Sequence, residues 1–288
     1  MIAITGANGH LGKATIKCLL QKMDSKNIIA MVRDPSTLKE FLKDGIGIRT
    51  ADYEDPESLN EALKGVGTLL QISTTSMGER GIQQELNVVD AAKKQGVQHL
   101  IYTSGLKPRE EAHFFAVQQC LKTENAIFSS GISYTILRNS LYLETIPLFI
   151  GNALEVGNIY LSAGQGKVSF VGRKDIAEAL SIVLTESMHR NKIYEITGAE
   201  AFNFEELARL LSKQTGRKIR YVDIPDEALK DELLKTGMPD EETEWFLSLT
   251  KSIRHHEFAD IEPALESLIR RKPVSVADYL KVFNDPVG

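Results

Sequence analysis

Short, almost uninterrupted apolar runs recur through the first half of the chain. Each is followed by a longer stretch in which apolar residues return every three or four positions. Ile2-Ala-Ile is the first run, and Leu11, Ala14, Ile16, Leu19 and Leu20 after it carry helical spacing. Asn27-Ile-Ile-Ala-Met-Val-Arg, Gly47-Ile-Arg-Thr-Ala-Asp and Val66-Gly-Thr-Leu-Leu-Gln-Ile-Ser predict the second to fourth strands. His99-Leu-Ile-Tyr-Thr-Ser and Ser133-Tyr-Thr-Ile-Leu-Arg predict the fifth and sixth. Strands alternating with helices in this way predict right-handed βαβ units and a doubly wound parallel sheet. The runs lack polar alternation because such a sheet is covered on both faces.

Beyond about residue 145 the rhythm loosens. Lys167-Val-Ser-Phe-Val reads as a strand, Asp175 to Glu186 as a helix and Ile193-Tyr-Glu-Ile-Thr as a further strand. Asn203-Phe-Glu-Glu reads as a capping box, with Asn203 at the N-cap and Glu206 at the third helical position. The tail from Pro225 is helical and charged. The expected organisation is α/β: residues 1–150 form a dinucleotide-binding domain whose sheet 174–198 completes, and 151–288 form a smaller α/β region on the substrate side. Ligands of such sheets lie outside the carboxyl ends of the strands, where strand order reverses, so candidate chemistry is sought just after each strand.

The first strand ends in Thr5-Gly-Ala-Asn-Gly-His-Leu-Gly. Gly6 permits a sharp turn, Gly9 a close approach of backbone to a pyrophosphate and Gly12 close packing of the next helix, whose N-terminus favours anions. Gly6, Ala7, Asn8, Gly9, His10, Leu11 and Gly12 are therefore the expected phosphate cradle. The second strand ends in Arg33, where an acidic residue would favour the ribose 2′-hydroxyl of NAD. A guanidinium fork suits a 2′-phosphate, so NADPH is expected over NADH, unless Arg33 is a solvated side chain beside Asp34. Asp52 either accepts from the adenine amino group or shapes a turn before Pro56. Ser73 and Thr74 follow the fourth strand, Tyr102, Thr103 and Ser104 end the fifth, and Asn139 and Tyr142 follow the sixth.

Composition narrows the class. The 288 residues carry a net charge of −5 with both signs interspersed, so no basic face offers the phosphate neutralisation that nucleic-acid binding needs. Cys18 and Cys120 lie in helix-like stretches without framework spacing, which fits a reducing compartment. No apolar run reaches the roughly 18 residues of a membrane span, and the first strand leaves no room for a leader. A soluble cytoplasmic protein without membrane association is expected.

The chain resembles the NmrA-like group of atypical short-chain dehydrogenase/reductases, and within it the bacterial type 2 NAD(P)H:quinone oxidoreductases. The resemblance rests on Thr5-Gly-Ala-Asn-Gly-His-Leu-Gly, Val32-Arg-Asp-Pro, Ala51-Asp-Tyr, Asn87-Val-Val-Asp-Ala-Ala-Lys, Tyr102-Thr-Ser and Tyr134-Thr-Ile-Leu-Arg-Asn. Arg173-Lys-Asp-Ile-Ala and Tyr194-Glu-Ile-Thr-Gly extend it more loosely into the second half. It implies a Rossmann-type fold in which the glycine loop and Arg33 bind NADPH while Ser73, Thr74, Asn139 and Ser140 border it. It also implies a quinone-like acceptor.

Most catalytic short-chain dehydrogenases use Tyr-x-x-x-Lys to shuttle a proton, and no Tyr here has Lys four residues later. Ala116 and Cys120 align with the two positions. Where the quinone reductases carry His and a nearby Lys on this helix, Cys120 and Asn125 stand. A quinone tolerates the gap. Hydride addition to it leaves a phenolate-like oxygen whose conjugate acid titrates around 10, which water protonates readily, whereas a ketone leaves a far more basic alkoxide. Tyr102 and Tyr142 are the candidate catalytic helpers.

Two other functions stay open: an NADP(H)-sensing regulator acting through a protein partner, and a nucleoside-diphosphate-sugar epimerase lacking its shuttle. The sequence also leaves room for a homo-oligomer. Of the remaining reactive residues, Cys120 is either a thiol near the acceptor or a small buried hydrophobe. His255-His256 reads as part of a charged helix rather than a metal site, and Trp245, Phe246 and Leu249 as core or subunit contact rather than a lid.

Overall fold

The computed structural model describes residues 1–283. Among these residues nine strands form in chain order: β1 Ile2–Ile4, β2 Ile28–Val32, β3 Gly47–Thr50, β4 Thr68–Ile72, β5 His99–Gly105, β6 Ser133–Asn139, β7 Asn158–Leu161, β8 Lys192–Ile196 and β9 Arg220–Asp223. The helices are α1 His10–Leu19, α2 Pro56–Ala62, α3 Gly78–Lys94, α4 Phe115–Ser130, α5 Ile146–Ile150 and α6 Ala153–Val156. After them come α7 Arg173–Thr185, α8 Phe204–Thr215, α9 Asp226–Lys235, α10 Asp240–Arg254, α11 Ala264–Ile269 and α12 Val276–Tyr279.

Seven strands make a parallel sheet in the order β3-β2-β1-β4-β5-β6-β8. Ile2 pairs with Ile28 on one side and Thr68 on the other, so the order reverses between β1 and β4. Strands β1 and β2 are buried along their whole length. The aliphatic residues there contribute about 1.5–3 kcal/mol each by leaving water. One face carries a cluster built from Ala3, Met31, Leu69 and Leu100 with Leu59 of α2, Val88 and Ala92 of α3 and Ile127 of α4. The other is taken by α1 and α7, which pack together; α1 buries Leu11, Ile16 and Leu19, and α7 buries Ile176, Leu180 and Leu184.

The chain divides into two compact units that alternate along the sequence. The first is Met1–Glu110, Ala116–Arg138 and Arg173–Glu195, and the second is Glu111–Phe115, Asn139–Gly172 and Ile196–Gly288. The second segment of the first unit stops at Arg138, near the end of β6, so Asn139 and α5 belong to the second unit.

In the second unit β7 and β9 pair in parallel, Asn158 against Arg220. Neither strand is expected from the sequence. The strand expected at Lys167–Val171 does not form: Val168 makes isolated bridges to Phe202 and Phe258, and Val171 one to Tyr142. Its apolar residues are buried because the segment threads a core, not because it lies in a sheet. The capping box is present, with the Glu206 amide donating to Asn203 Oδ1 at 2.8 Å and the Asn203 amide to Glu206 Oε2 at 2.9 Å. Among the described residues no helix is long and apolar enough to cross a membrane.

Candidate functional site

Where strand order reverses, the carboxyl ends of β1, β2, β3 and β4 open into a cavity of about 320 Å³ within the first unit. From the turn after β1, Gly6, Asn8 and Gly9 line it, and from the ends of β2 and β3 come Arg33, Asp52 and Tyr53. The loop after β4 contributes Ser73, Thr74, Thr75 and Ser76, and α3 contributes Gln84.

The glycine turn is dictated locally. Gly6 has φ +58°, a left-handed conformation that side chains with a Cβ rarely adopt. A Cβ on Gly12 would lie 2.7 Å from Ala7 Cα, so the start of α1 sits directly on the turn. Gly9 is the N-cap with ordinary extended backbone and supplies no capping side chain. The amides of His10, Leu11 and Gly12 consequently have no hydrogen-bond acceptor among the described residues, which leaves an anion-attracting helix end. Ala7, Leu11 and Gly12 themselves are buried beneath the turn, and His10 is exposed. None of the four lines the cavity.

A hydrogen-bonded knot holds the turn to β4. Thr5 Oγ1 donates to Leu70 O at 3.2 Å and accepts from the Ile72 amide at 3.0 Å, while Tyr53 Oη, with one proton to give, lies between two acceptors, Ile72 O at 2.8 Å and Thr5 Oγ1. Burial pushes the Tyr53 hydroxyl well above its ordinary range, so it stays a neutral donor. Asp52 shapes a turn, its Oδ1 accepting the Glu54 amide at 3.0 Å, and it is among the residues that line the cavity. Around it Glu54 pairs with Arg80 and accepts from Gln84 at 2.9 Å, which holds its carboxyl below the usual range.

Tyr102 is overturned as a catalytic helper. Because β5 runs on to Gly105, Tyr102 lies in mid-strand, fully buried, with its hydroxyl donating to Glu85 Oε2 at 2.6 Å. It does not line the cavity. Cys120 is the small buried residue of the two alternatives, 8% exposed, with burial pushing its thiol up to about 12. Such a thiol is inert.

In the second unit Asn139 is the last residue of β6, and Ser140 and Tyr142 follow it. The Ser140 amide donates to Ile196 O at 2.9 Å and its hydroxyl accepts from Ser169 at 3.2 Å. Asn139 is 5% exposed, and both atoms of its amide lack a hydrogen-bond partner among the described residues. Tyr142 is half-buried and bridges to Val171. The helix expected across His255-His256 ends at Arg254, with His256 left-handed at φ +60°. His255 stacks on His113 at 4.1 Å between centroids, and His113 Nδ1 lies 2.7 Å from Glu257 Oε1. No cluster able to hold a metal occurs among the described residues. Trp245, half-buried, meets Phe114 edge-on, whereas Phe246 is buried near Phe149 and Leu249 is buried as well.

Sequence reasoning missed Tyr53, Ser76 and Gln84. Tyr53 was visible in Ala51-Asp-Tyr, but nothing in one sequence distinguishes a cavity-facing side of α3, and Gln84 sits among polar residues of a solvated-looking helix.

A model of the NmrA-like family matches residues 1–280. The chain belongs to the NmrA-like family. It is 38% identical to quinone oxidoreductase 2 of Escherichia coli (strain K12) over 240 residues, 83% of each chain. It is 28% identical to an NAD(P)H azoreductase of Xenophilus azovorans, over 83% of this chain and 82% of that one. Among solved NmrA-like relatives, the Escherichia coli NADPH-dependent quinone oxidoreductase complexed with NADPH superposes with a TM-score of 0.95 at 33% identity, covering 99% of this chain and 100% of that one. The Citrobacter sp. triphenylmethane reductase complexed with NADP(H) gives 0.91 at 35% identity, covering 98% and 99%.

Proposed function

We propose that this NmrA-like protein is an NADPH-dependent oxidoreductase that passes a hydride to a quinone or a similar conjugated acceptor. The observation that carries the proposal is the cavity itself. It joins a crowded glycine turn and unpartnered helix amides to the one cation at the end of β2, Arg33, where a 2′-phosphate would need it. Relatives that reduce quinones, azo compounds and triphenylmethane dyes supply the acceptor class.

Bound NADPH supplies the hydride. The chain's residues bind and orient it: the α1 amides and the Gly6 turn take the pyrophosphate, Arg33 the 2′-phosphate, and Asp52 the adenine amino group. Ser73 and Thr74 wall the far end of the cavity. Asn139 is the further candidate, since a buried amide with an unused donor and an unused acceptor is costly unless a ligand supplies both. No positioned Tyr and Lys shuttle a proton, which suits an acceptor whose reduced oxygen water can protonate. The remaining work is placement and exclusion of water. The protein is expected to work without a membrane or nucleic-acid partner; a second copy or a protein partner is not required by this chemistry.

The test is cofactor oxidation, followed by loss of nicotinamide absorbance with a panel of quinones beside a binding titration. Turnover well above the uncatalysed rate is expected. Tight NADPH binding without turnover on any acceptor would instead select the sensor, and conversion of a nucleoside-diphosphate sugar would select the epimerase.

A further inference from the structure

The loop after β4 walls the proposed cofactor cavity, yet its position owes almost nothing to backbone pairing. Among the described residues the one backbone bond it makes is at its end, where Met77 O accepts the Gly81 amide at 3.3 Å. Its amides go to side chains instead. The Ser73 amide donates to Thr103 Oγ1 at 3.0 Å, the Thr74 amide to Glu85 Oε1 at 2.9 Å, and the Ser76 amide to Thr74 Oγ1 at 3.1 Å. Thr74 Oγ1 in turn donates to Gln84 Oε1 at 2.6 Å. A loop fixed in this way is only as well placed as the side chains that hold it.

We propose that Glu85 is the positioning residue of this site: a buried carboxylate that fixes the Thr74 amide and thereby the cavity wall against which the cofactor binds. Glu85 is fully buried in the layer between α3, α4 and β5. Its Oε2 accepts from Tyr102 Oη at 2.6 Å and from Thr123 Oγ1, and both of these residues are also fully buried. Three donors converging on one acceptor-only group hold it from two further elements, so Oε1 presents a fixed acceptor to Thr74. Glu85 touches neither the cavity nor, on this arrangement, any ligand. It acts through Thr74. Burial pushes the Glu85 carboxyl upward, and the three donors, Thr123, Tyr102 and the Thr74 amide, oppose this by favouring its ionised form; Tyr102 and Cys120 beside it are themselves pushed upward by burial.

The proposal rests on the cofactor reading above, and the experiment separates the two. Glu85→Leu alone would strand two buried hydroxyls and endanger the fold. The variant to use is therefore the triple Glu85→Leu, Tyr102→Phe, Thr123→Val, which replaces the whole network with apolar groups and leaves the Thr74 amide as the main group deprived of its partner. Tyr102→Phe with Thr123→Val keeps Glu85 but removes the two donors that hold it, so it tests whether they fix its acceptor. Glu85→Gln is the conservative rescue, because its Oε1 can still accept from Thr74 while its amide donates to the two hydroxyls.

Two readouts are taken: hydrogen exchange of the Thr74 amide in the cofactor-free protein, and the NADPH dissociation constant by fluorescence titration. In the triple variant the Thr74 amide is expected to exchange at least about 10-fold faster, with β4 and β5 amides unchanged. NADPH should weaken by about 10-fold or more, in line with loss of a hydrogen bond to a charged group. Glu85→Gln should stay near the wild type in both, and Tyr102→Phe with Thr123→Val should fall between the wild type and the triple variant, because Glu85 is still present but no longer held. Unchanged Thr74 exchange in the triple variant would overturn the proposal, as would faster exchange with unchanged NADPH affinity. If Thr74 responds as expected but the wild type itself does not bind NADPH, Glu85 still positions the loop and the cofactor reading is what fails.

Discussion

Arg33 stands at the end of β2 with its side chain exposed at the mouth of the cavity, without an acid at the equivalent of the NAD-specific position. Removing it deletes a charge-assisted contact available only to a 2′-phosphate, worth about 1.5–3 kcal/mol. Arg33→Ala should therefore weaken NADPH roughly 10- to 100-fold and NADH by less than about 3-fold, measured by titration with each; equal weakening would remove the assignment. His99 makes a second residue-scale prediction. Thr135 Oγ1 gives its one proton to His189 O at 2.8 Å, so it accepts from His99 Nε2 at 2.7 Å and the imidazole is neutral with its proton on Nε2. Burial, with Arg190 and His189 nearby, lowers its pKa from 6.5 to about 4. Between those values the unfolded chain binds a proton that the folded chain refuses, so His99 costs stability as pH falls through that window. Chemical denaturation should show the wild type losing about 1–2 kcal/mol more than His99→Gln between about pH 7 and pH 5. Parallel profiles would contradict it. At this scale the glycine turn and Arg33 were legible because backbone conformation and charge are properties of the residue type itself. Tyr102 was not: a strand covered on both faces gives no polar alternation to mark where it ends, and two residues of error turned a core side chain into a candidate catalyst.

At the scale of elements, Arg138 ties four of them together. From β6 it donates to Glu124 of α4 at 3.0 and 2.6 Å and to Glu195 of β8 at 3.0 Å, while Ser104 of β5 donates to Glu124 at 2.6 Å. Glu124 is fully buried. Breaking such a pair leaves an uncompensated charge in the core, which costs about 3–5 kcal/mol, whereas removing both partners costs far less. Arg138→Leu should lower the denaturation midpoint sharply, and adding Glu124→Leu should recover more than half of the loss; a double variant as unstable as the single would show that the ion pair itself, not the stranded carboxylate, carries the stability. The sheet strands were readable because parallel strands buried on both faces are continuous apolar runs with helices between them. β7 and β9 escaped because a two-stranded pair has one open face, so Tyr160 and Arg220 interrupt its apolar pattern. The run at Lys167–Val171 misled in the opposite direction, since an irregular segment threaded through a core is as apolar as a strand.

For the whole molecule, the consequential feature is that the first unit is discontinuous. Sequence rhythm placed residues 1–150 in one domain and allowed 174–198 to complete its sheet; the first unit instead runs to Arg138 with a break at Glu111–Phe115, and returns as α7 and most of β8. Rhythm fades there because residues 139–172 already belong to the second unit, whose elements carry their own pattern. The returning segment is structural. α7 covers α1 with Ile176, Leu180, Val183 and Leu184, and β8 pairs the last strand of the sheet. A fragment of residues 1–150 would keep the glycine turn, Arg33 and every cavity-lining residue, yet expose the apolar face of α1 and leave β6 as an unprotected edge. Losing the burial of four large aliphatic side chains at about 1.5–3 kcal/mol each would remove roughly 6–12 kcal/mol, comparable to the entire stability of an ordinary domain. The fragment should accordingly show no cooperative thermal transition by circular dichroism and no NADPH binding, although all the proposed cradle residues are present. Fusing 173–195 to residues 1–138 through a short flexible linker should restore a cooperative transition. A fragment 1–150 that unfolds cooperatively would mean that α7 and β8 are dispensable to the sheet, and that the cradle folds on the strength of its first six strands alone.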